Sequence, residues 1–290
     1  AAILGDNINY WVGRFFGASA TPSLQALVRE VTRLVPQPGD TASIYDVWRR
    51  RASVPDSLEP EMGDLGGGSD FAAFYNHLGI PSADWGFGGP SGNYHSQYDD
   101  ETWMERWGDS GFLGHRALAQ VDALLLARMA DRDVLPLDEA NLAHYLGALV
   151  KGLEAKAAKA DWHVDTSELR RAITAMYDAA LGFANVRDAE MASHDRKGVD
   201  AALAAANLYL RQSEMALTRP EGLVGRPWFR NLTFAADRDN GYADIALPGI
   251  AEAMEDRDRP RFDHEVADLA ARVGRSAELL RQATAALARR

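Results

Sequence analysis

Residues 65–88 read LGGGSDFAAFYNHLGIPSADWGFG. Three glycines and Ser69-Asp70 open the stretch, and Phe71, Phe74 and Tyr75 then recur at helical spacing. Gly79 and Pro81 end that helix, because glycine favours left-handed exits and proline restricts the residue before it. Residues 82–87 alternate in character, which predicts a strand. Loop, helix, turn and strand within one short window point to an α/β unit rather than a purely helical chain.

The same texture extends outward. Upstream, Ala1-Ala2-Ile3-Leu4-Gly5-Asp6 reads as a buried strand ending in an acid, an unusual start for a mature chain, so a portion N-terminal to Ala1 is expected. Thr21-Pro22 predicts an N-cap with proline in the first turn, followed by a helix with Leu24, Leu27, Val31 and Leu34 on one face. A short helix is expected around Ile44 to Arg50. A longer one is expected from about Ser110, with Leu118, Val121, Leu125 and Met129 inward.

From about residue 136 the chain is Ala-rich and helical in period. Its apolar stripes are Leu142/Leu146/Leu149/Leu153, Leu169/Ile173/Met176/Phe183, Val199/Leu203/Leu210 and Phe262/Val266/Leu269/Val273. Asp165 and Glu168 have the spacing of a capping pair. The expected fold is therefore an α/β part, a mixed sheet with flanking helices over residues 1–135, followed by an all-α part over 136–290.

Composition narrows the function classes. The 290 residues are 47% hydrophobic and 25% charged, with a net charge of −11. That acidity argues against binding a phosphate backbone, so no nucleic-acid partner is expected. The chain has no cysteine, which excludes disulfides and thiolate metal sites. No run approaches the roughly 20 apolar residues that span a bilayer. Gly66 to Gly68 lack the spacing and the lysine of a phosphate loop, and neither a GxSxG elbow nor an HExxH helix occurs.

Two positions carry candidate chemistry. Asp6 follows a strand, where α/β sheets place ligands, and an acid there can bind a metal or simply cap a turn. His95 sits in a Gly-rich loop between Tyr94 and Tyr98, followed by Asp99 and Asp100. An imidazole in that company is either a metal ligand or a structural loop residue. His77, His115 and His144 fall in helices and read as surface or core residues.

Several segments, taken in order, resemble the family of glutamate carboxypeptidases, related acidic dipeptidases and transferrin receptors. They are residues 3–6 (ILGD), 65–71 (LGGGSDF), 78–81 (LGIP), 94–98 (YHSQY), 134–138 (VLPLD), 225–230 (GRPWFR), and Tyr242 through 247–250 (LPGI). The resemblance implies a partial peptidase domain over 1–135 and a helical dimerisation domain over 136–290. It also implies two zinc ions bridged by a water that attacks a peptide substrate. By the family pattern Asp6 and His95 would each ligate zinc, and Tyr94 would steady the tetrahedral intermediate. Gly68, Ser69 and Tyr242 would contact substrate, and the helical part would form a homodimer.

The first His, the bridging Asp, the Glu ligand and the general-base Glu would precede Ala1, so the chain alone is expected to bind zinc poorly and to be inactive. The family's arginine patch falls at Ala83-Asp84-Trp85-Gly86, without an arginine, and its substrate lysine falls at Gly241. A preference for acidic substrates is thus doubtful, and Trp85 with Phe87 suggests a more apolar pocket. The competing readings are a non-catalytic receptor-like module for dimerisation and partner binding, and an unrelated helical interaction protein. The resemblance leaves the compartment open. The compartments it admits are extracytoplasmic ones: periplasmic, secreted or membrane-anchored.

Overall fold

The computed structural model describes residues 3–4, 15–55, 58–89, 92–192 and 199–288. Strands β1 (Ile3–Leu4) and β2 (Phe15–Ala20) come first. A tight 3-10 turn at Pro22–Leu24 then leads into helices α1 (Gln25–Thr32) and α2 (Ile44–Ala52). A π-type turn at Ala73–His77 precedes β3 (Ser82–Gly88). After β3 come α3 (Glu101–Trp103), a second π-type turn at Met104–Gly108, and α4 (Leu113–Ala130). Three long helices follow: α5 (Glu139–Lys159), α6 (Ser167–Ala192) and α7 (Val199–Ser213). The chain then runs through a 3-10 turn at Met215–Leu217, the hairpin β4 (Phe234–Ala236) with β5 (Asp244–Ala246), and helices α8 (Pro248–Glu255) and α9 (Arg259–Leu287).

Helix dominates. The expected α/β part contains, among the described residues, one three-stranded sheet in the order β1-β3-β2. In it β1 runs parallel to β3 over two residues, and β2 pairs antiparallel with β3 from Phe15↔Gly88 to Ala20↔Ala83. Phe16, Trp85 and Phe87 point from this sheet into a core shared with Leu27, Val31, Trp48, Val121 and Leu125. The apolar pocket expected at Trp85 and Phe87 is therefore corrected. Both rings are packing residues, 8% and 5% exposed, and Phe87 meets Phe16 edge-on at 5.8 Å. The indole N–H of Trp85 is also used internally, donating to Asp122 Oδ1 at 3.0 Å.

The second core belongs to the long helices. Leu142, Leu146, Leu153, Leu169, Ile173, Met176, Phe183, Leu203, Leu210, Phe262, Leu269 and Val273 all bury there, as the periodicity predicts. Of the stripe members, Leu149 packs at its margin. Two buried carboxylates in this region are matched by arginine. Arg219 donates to both oxygens of Glu265, at 3.0 and 3.1 Å, and Glu252 is paired by Arg226 and Arg261.

Local details depart from expectation where polar side chains find other partners. Thr21 makes no capping bond; its hydroxyl lies 3.3 Å from that of Ser23, and the 3-10 turn delays α1 until Gln25. Leu34 falls beyond the end of α1 and is 52% exposed. Helix α4 starts at Leu113, after Phe112 adopts a left-handed conformation. At α6, Asp165 accepts from the Ser167 N–H at 2.9 Å, and the Thr166 hydroxyl donates to Glu154 of α5.

Candidate functional site

The segment 64–70 is seated on the far hairpin of the chain, and glycine is what permits it. A side chain at Gly66 would collide with the backbone of Asp244 at the start of β5. Gly68 adopts φ +79°, a region costly for residues with a Cβ, and a Cβ there would come within 2.6 Å of the Tyr242 ring. Gly68 and Tyr242, distant in sequence, are thus in contact. Ser69 follows directly, half-buried, its carbonyl accepting from the Ala72 N–H at 3.1 Å. Tyr242 leaves most of its ring to solvent, 71% exposed. Gly68, Ser69 and Tyr242 are therefore brought together into one surface feature.

Buried polar groups hold this arrangement. Asn76, fully buried, donates to Leu65 O and to Phe234 O, both at 3.2 Å, clamping the glycine segment to β4. Its own carbonyl accepts from the N–H groups of Arg230 and Asn231. Tyr75 OH lies 2.7 Å from Thr233 Oγ1. Beneath the loop, Tyr145 of α5 donates to Asp64 Oδ1 at 2.8 Å. Burial, reinforced by the nearby Asp244 charge and opposed by the Tyr145 bond, pushes the Asp64 carboxyl up to about 6. Burial and the Asp64 charge likewise raise the Tyr145 phenol.

The second candidate feature is the loop after β3. His95 adopts φ +61° and stacks on Tyr94, with ring centroids 3.9 Å apart and 22° between planes. Both rings are exposed, Tyr94 by 45%. The loop is closed by short-range bonds. Ser96 Oγ donates to Asn93 O at 2.6 Å and accepts from the Tyr98 N–H, and Asn93 Nδ2 donates to Asp99 Oδ1 at 3.3 Å. Asp6 lies outside the described residues.

Among the described residues no three His, Asp or Glu side chains are placed to hold a metal ion. A protein zinc site needs three or more ligands, and His95 is the one described candidate, so the described set does not by itself complete a zinc site. Of the other histidines, His77 binds the Trp228 carbonyl at 2.7 Å and stacks on its ring, and His115 pairs with Asp109 at 2.7 Å. Among the described residues no helix is long and apolar enough to cross a membrane.

Asp64, Tyr145 and Asn76 were not singled out by sequence reasoning. The signal was faint in each case. Asn76 is an amide on the buried face of an aromatic helix, and Tyr145 lies beside the leucine stripe rather than on it. Asp64 immediately precedes the glycine run.

Comparison with known proteins supplies the wider frame. A profile of the transferrin receptor-like dimerisation domain matches residues 164–281, which run from the end of the α5–α6 connection into α9. The chain is 33% identical over 246 residues to a probable glutamate carboxypeptidase LAMP1 of Arabidopsis thaliana, covering 84% of this chain and 34% of that protein. It is also 33% identical over 259 residues to a probable glutamate carboxypeptidase of Arthroderma benhamiae, covering 84% and 33%. With mouse aminopeptidase NAALADL1 it shares 32% identity over 166 residues, 53% of this chain and 22% of that protein. The chain spans about a third or less of the length of these relatives. With the dimerisation profile at one end and carboxypeptidase likeness over most of its length, the chain belongs to the glutamate carboxypeptidase and transferrin-receptor-like family.

Proposed function

We propose that this chain is part of a zinc-dependent exopeptidase, in which residues 1–135 contribute to the peptidase domain and residues 136–290 form a helical dimerisation domain. The observation that carries this reading is the contact between Gly68 and Tyr242, since it unites the residues that the family pattern puts against substrate. Ser69 stands at the same edge, where a peptide could meet both a backbone and an aromatic face. Tyr94 would donate its phenol proton toward the oxyanion of a cleaved amide, a role that suits an exposed hydroxyl beside an open loop. Asp6 and His95 would each give one bond to zinc, with the remaining ligands of a two-zinc centre supplied from outside the described residues. Helices α6, α7 and α9, which include most of the residues matching the dimerisation profile, would pack against a second copy in a two-fold homodimer.

Two measurements test this. Sedimentation equilibrium of the chain should give a mass of twice 31.7 kDa. Zinc analysis of the protein in which the chain occurs should find two ions per protomer, with His95→Ala losing one. A monomeric chain would refute the dimer. A protein free of zinc would turn the reading toward a receptor-like, non-catalytic member of the family.

A further inference from the structure

Two carboxyls outside the candidate site lie where the sheet-bearing part meets the helices. Glu139 opens α5, and Glu214 stands between α7 and the turn Met215–Leu217. Each is 3% exposed. Ser213 Oγ donates to Glu139 Oε1 at 2.5 Å, and Ser23, from the turn ahead of α1, donates to Glu214 Oε1. The second oxygen of Glu139 is buried without a hydrogen-bond partner.

Glu139 faces Asp138 at the start of its own helix and the hydroxyl of Ser213 from α7. Glu214 faces Glu139, the hydroxyl of Ser23, and the buried phenol of Tyr75 from the segment before β3. Among the described residues no Lys, Arg or His forms an ion pair with either carboxyl. The contrast with the same helical region is direct, because buried Glu265 and Glu252 there are each met by arginine. Two buried carboxylates side by side without a cation are strongly disfavoured, and protonation is the usual escape.

We propose that Glu139 and Glu214 together retain at least one proton at neutral pH, and that this proton latches the turn Pro22–Leu24 to the N-terminus of α5 and the end of α7. The seam it closes is also crossed by the Asp138 N–H donating to Ser23 O at 2.8 Å and by Asn141 Nδ2 donating to Pro22 O at 2.7 Å. Loss of the proton to solvent leaves a second carboxylate in the pocket and sets the two side chains against each other.

The direction of the pH effect follows. Burial first, and mutual repulsion for Glu214, raise both carboxyls above their ordinary value of 4.5, Glu139 to about 7. A group whose folded value is raised stabilises the fold fully below its unfolded value, and that stability is lost as pH climbs through the folded value. The seam therefore weakens between about pH 5 and pH 8.

The test is the thermal unfolding midpoint of the chain across that range, for wild type and Glu139→Gln. The amide mimics the protonated acid, so the wild-type midpoint should drop relative to the variant as pH rises, and the two curves should diverge. Parallel curves would overturn the proposal. Should Glu139→Gln fail to fold, Asp64→Asn removes the other raised carboxylic acid, and its infrared spectrum at pH 6 decides. A carboxylic-acid carbonyl band that vanishes at higher pH supports the proposal. A spectrum without that band, or a midpoint that rises with added calcium or potassium instead of added acid, overturns it in favour of ionised carboxylates holding a cation.

Discussion

The two halves of the candidate site are built in opposite ways. The Gly66–Gly68 segment is held by partners distant in sequence: Asn76 reaches to Leu65 and Phe234, Tyr145 reaches to Asp64, and Tyr242 lies against Gly68. In the Tyr94–His95 loop, by contrast, the bonds seen among the described residues include ones within the turn itself, through Ser96, Asn93 and Asp99. One half is fixed by the global fold, and its geometry should fail when the fold is disturbed. The other is a local device whose side chains are carried on the surface, and it should tolerate change without affecting stability.

Substitutions can break this contrast. The largest effect is expected for Gly66→Ala, because the new methyl meets the Asp244 backbone rather than a movable side chain. A loss of about 3 kcal/mol in denaturant unfolding is predicted from overpacking of this kind. Asn76→Ala comes next. It strands two backbone carbonyls that it now satisfies and should cost about 2 kcal/mol.

Asp64→Asn sharpens the comparison through pH. Its folded carboxyl is raised to about 6, so the wild-type segment is most stable below about pH 4 and loses stability as pH rises through 6. The amide variant should remove that slope, a difference on the order of 1–2 kcal/mol between pH 4 and pH 7 after screening at its half-exposed edge. At the small end, His95→Ala should leave stability within about 0.5 kcal/mol, as for exposed positions without buried partners. A loss comparable to that of Asn76→Ala would mean that the loop is part of the fold after all.

How much was legible in the sequence follows from the same distinction. Helical stripes such as Leu169/Ile173/Met176 and Phe262/Leu269/Val273 announce themselves because one face must be buried every 3.6 residues. The strand at 82–88 was visible from its alternation, but not that Trp85 and Phe87 face the core, since alternation does not say which side is inside. Helix α8 was missed, as its eight residues give little period to read. So was the β4–β5 hairpin, with only three residues per strand. Gly68 and Tyr242 were singled out separately, by resemblance; their contact depends on tertiary packing that no local window encodes. The same is true of Glu139 and Glu214, whose meeting with Ser213 and Ser23 joins three separate parts of the chain.

The central claim is that Gly68 and Tyr242 form a wall of a peptide site. It is tested most directly by steady-state hydrolysis of dipeptides by the protein in which this chain occurs, comparing wild type with Tyr242→Ala. A residue that only holds substrate should raise KM about tenfold, about 1.4 kcal/mol of binding, while kcat changes less than about twofold. An unchanged KM would contradict the assignment and reduce the Gly68–Tyr242 contact to packing alone.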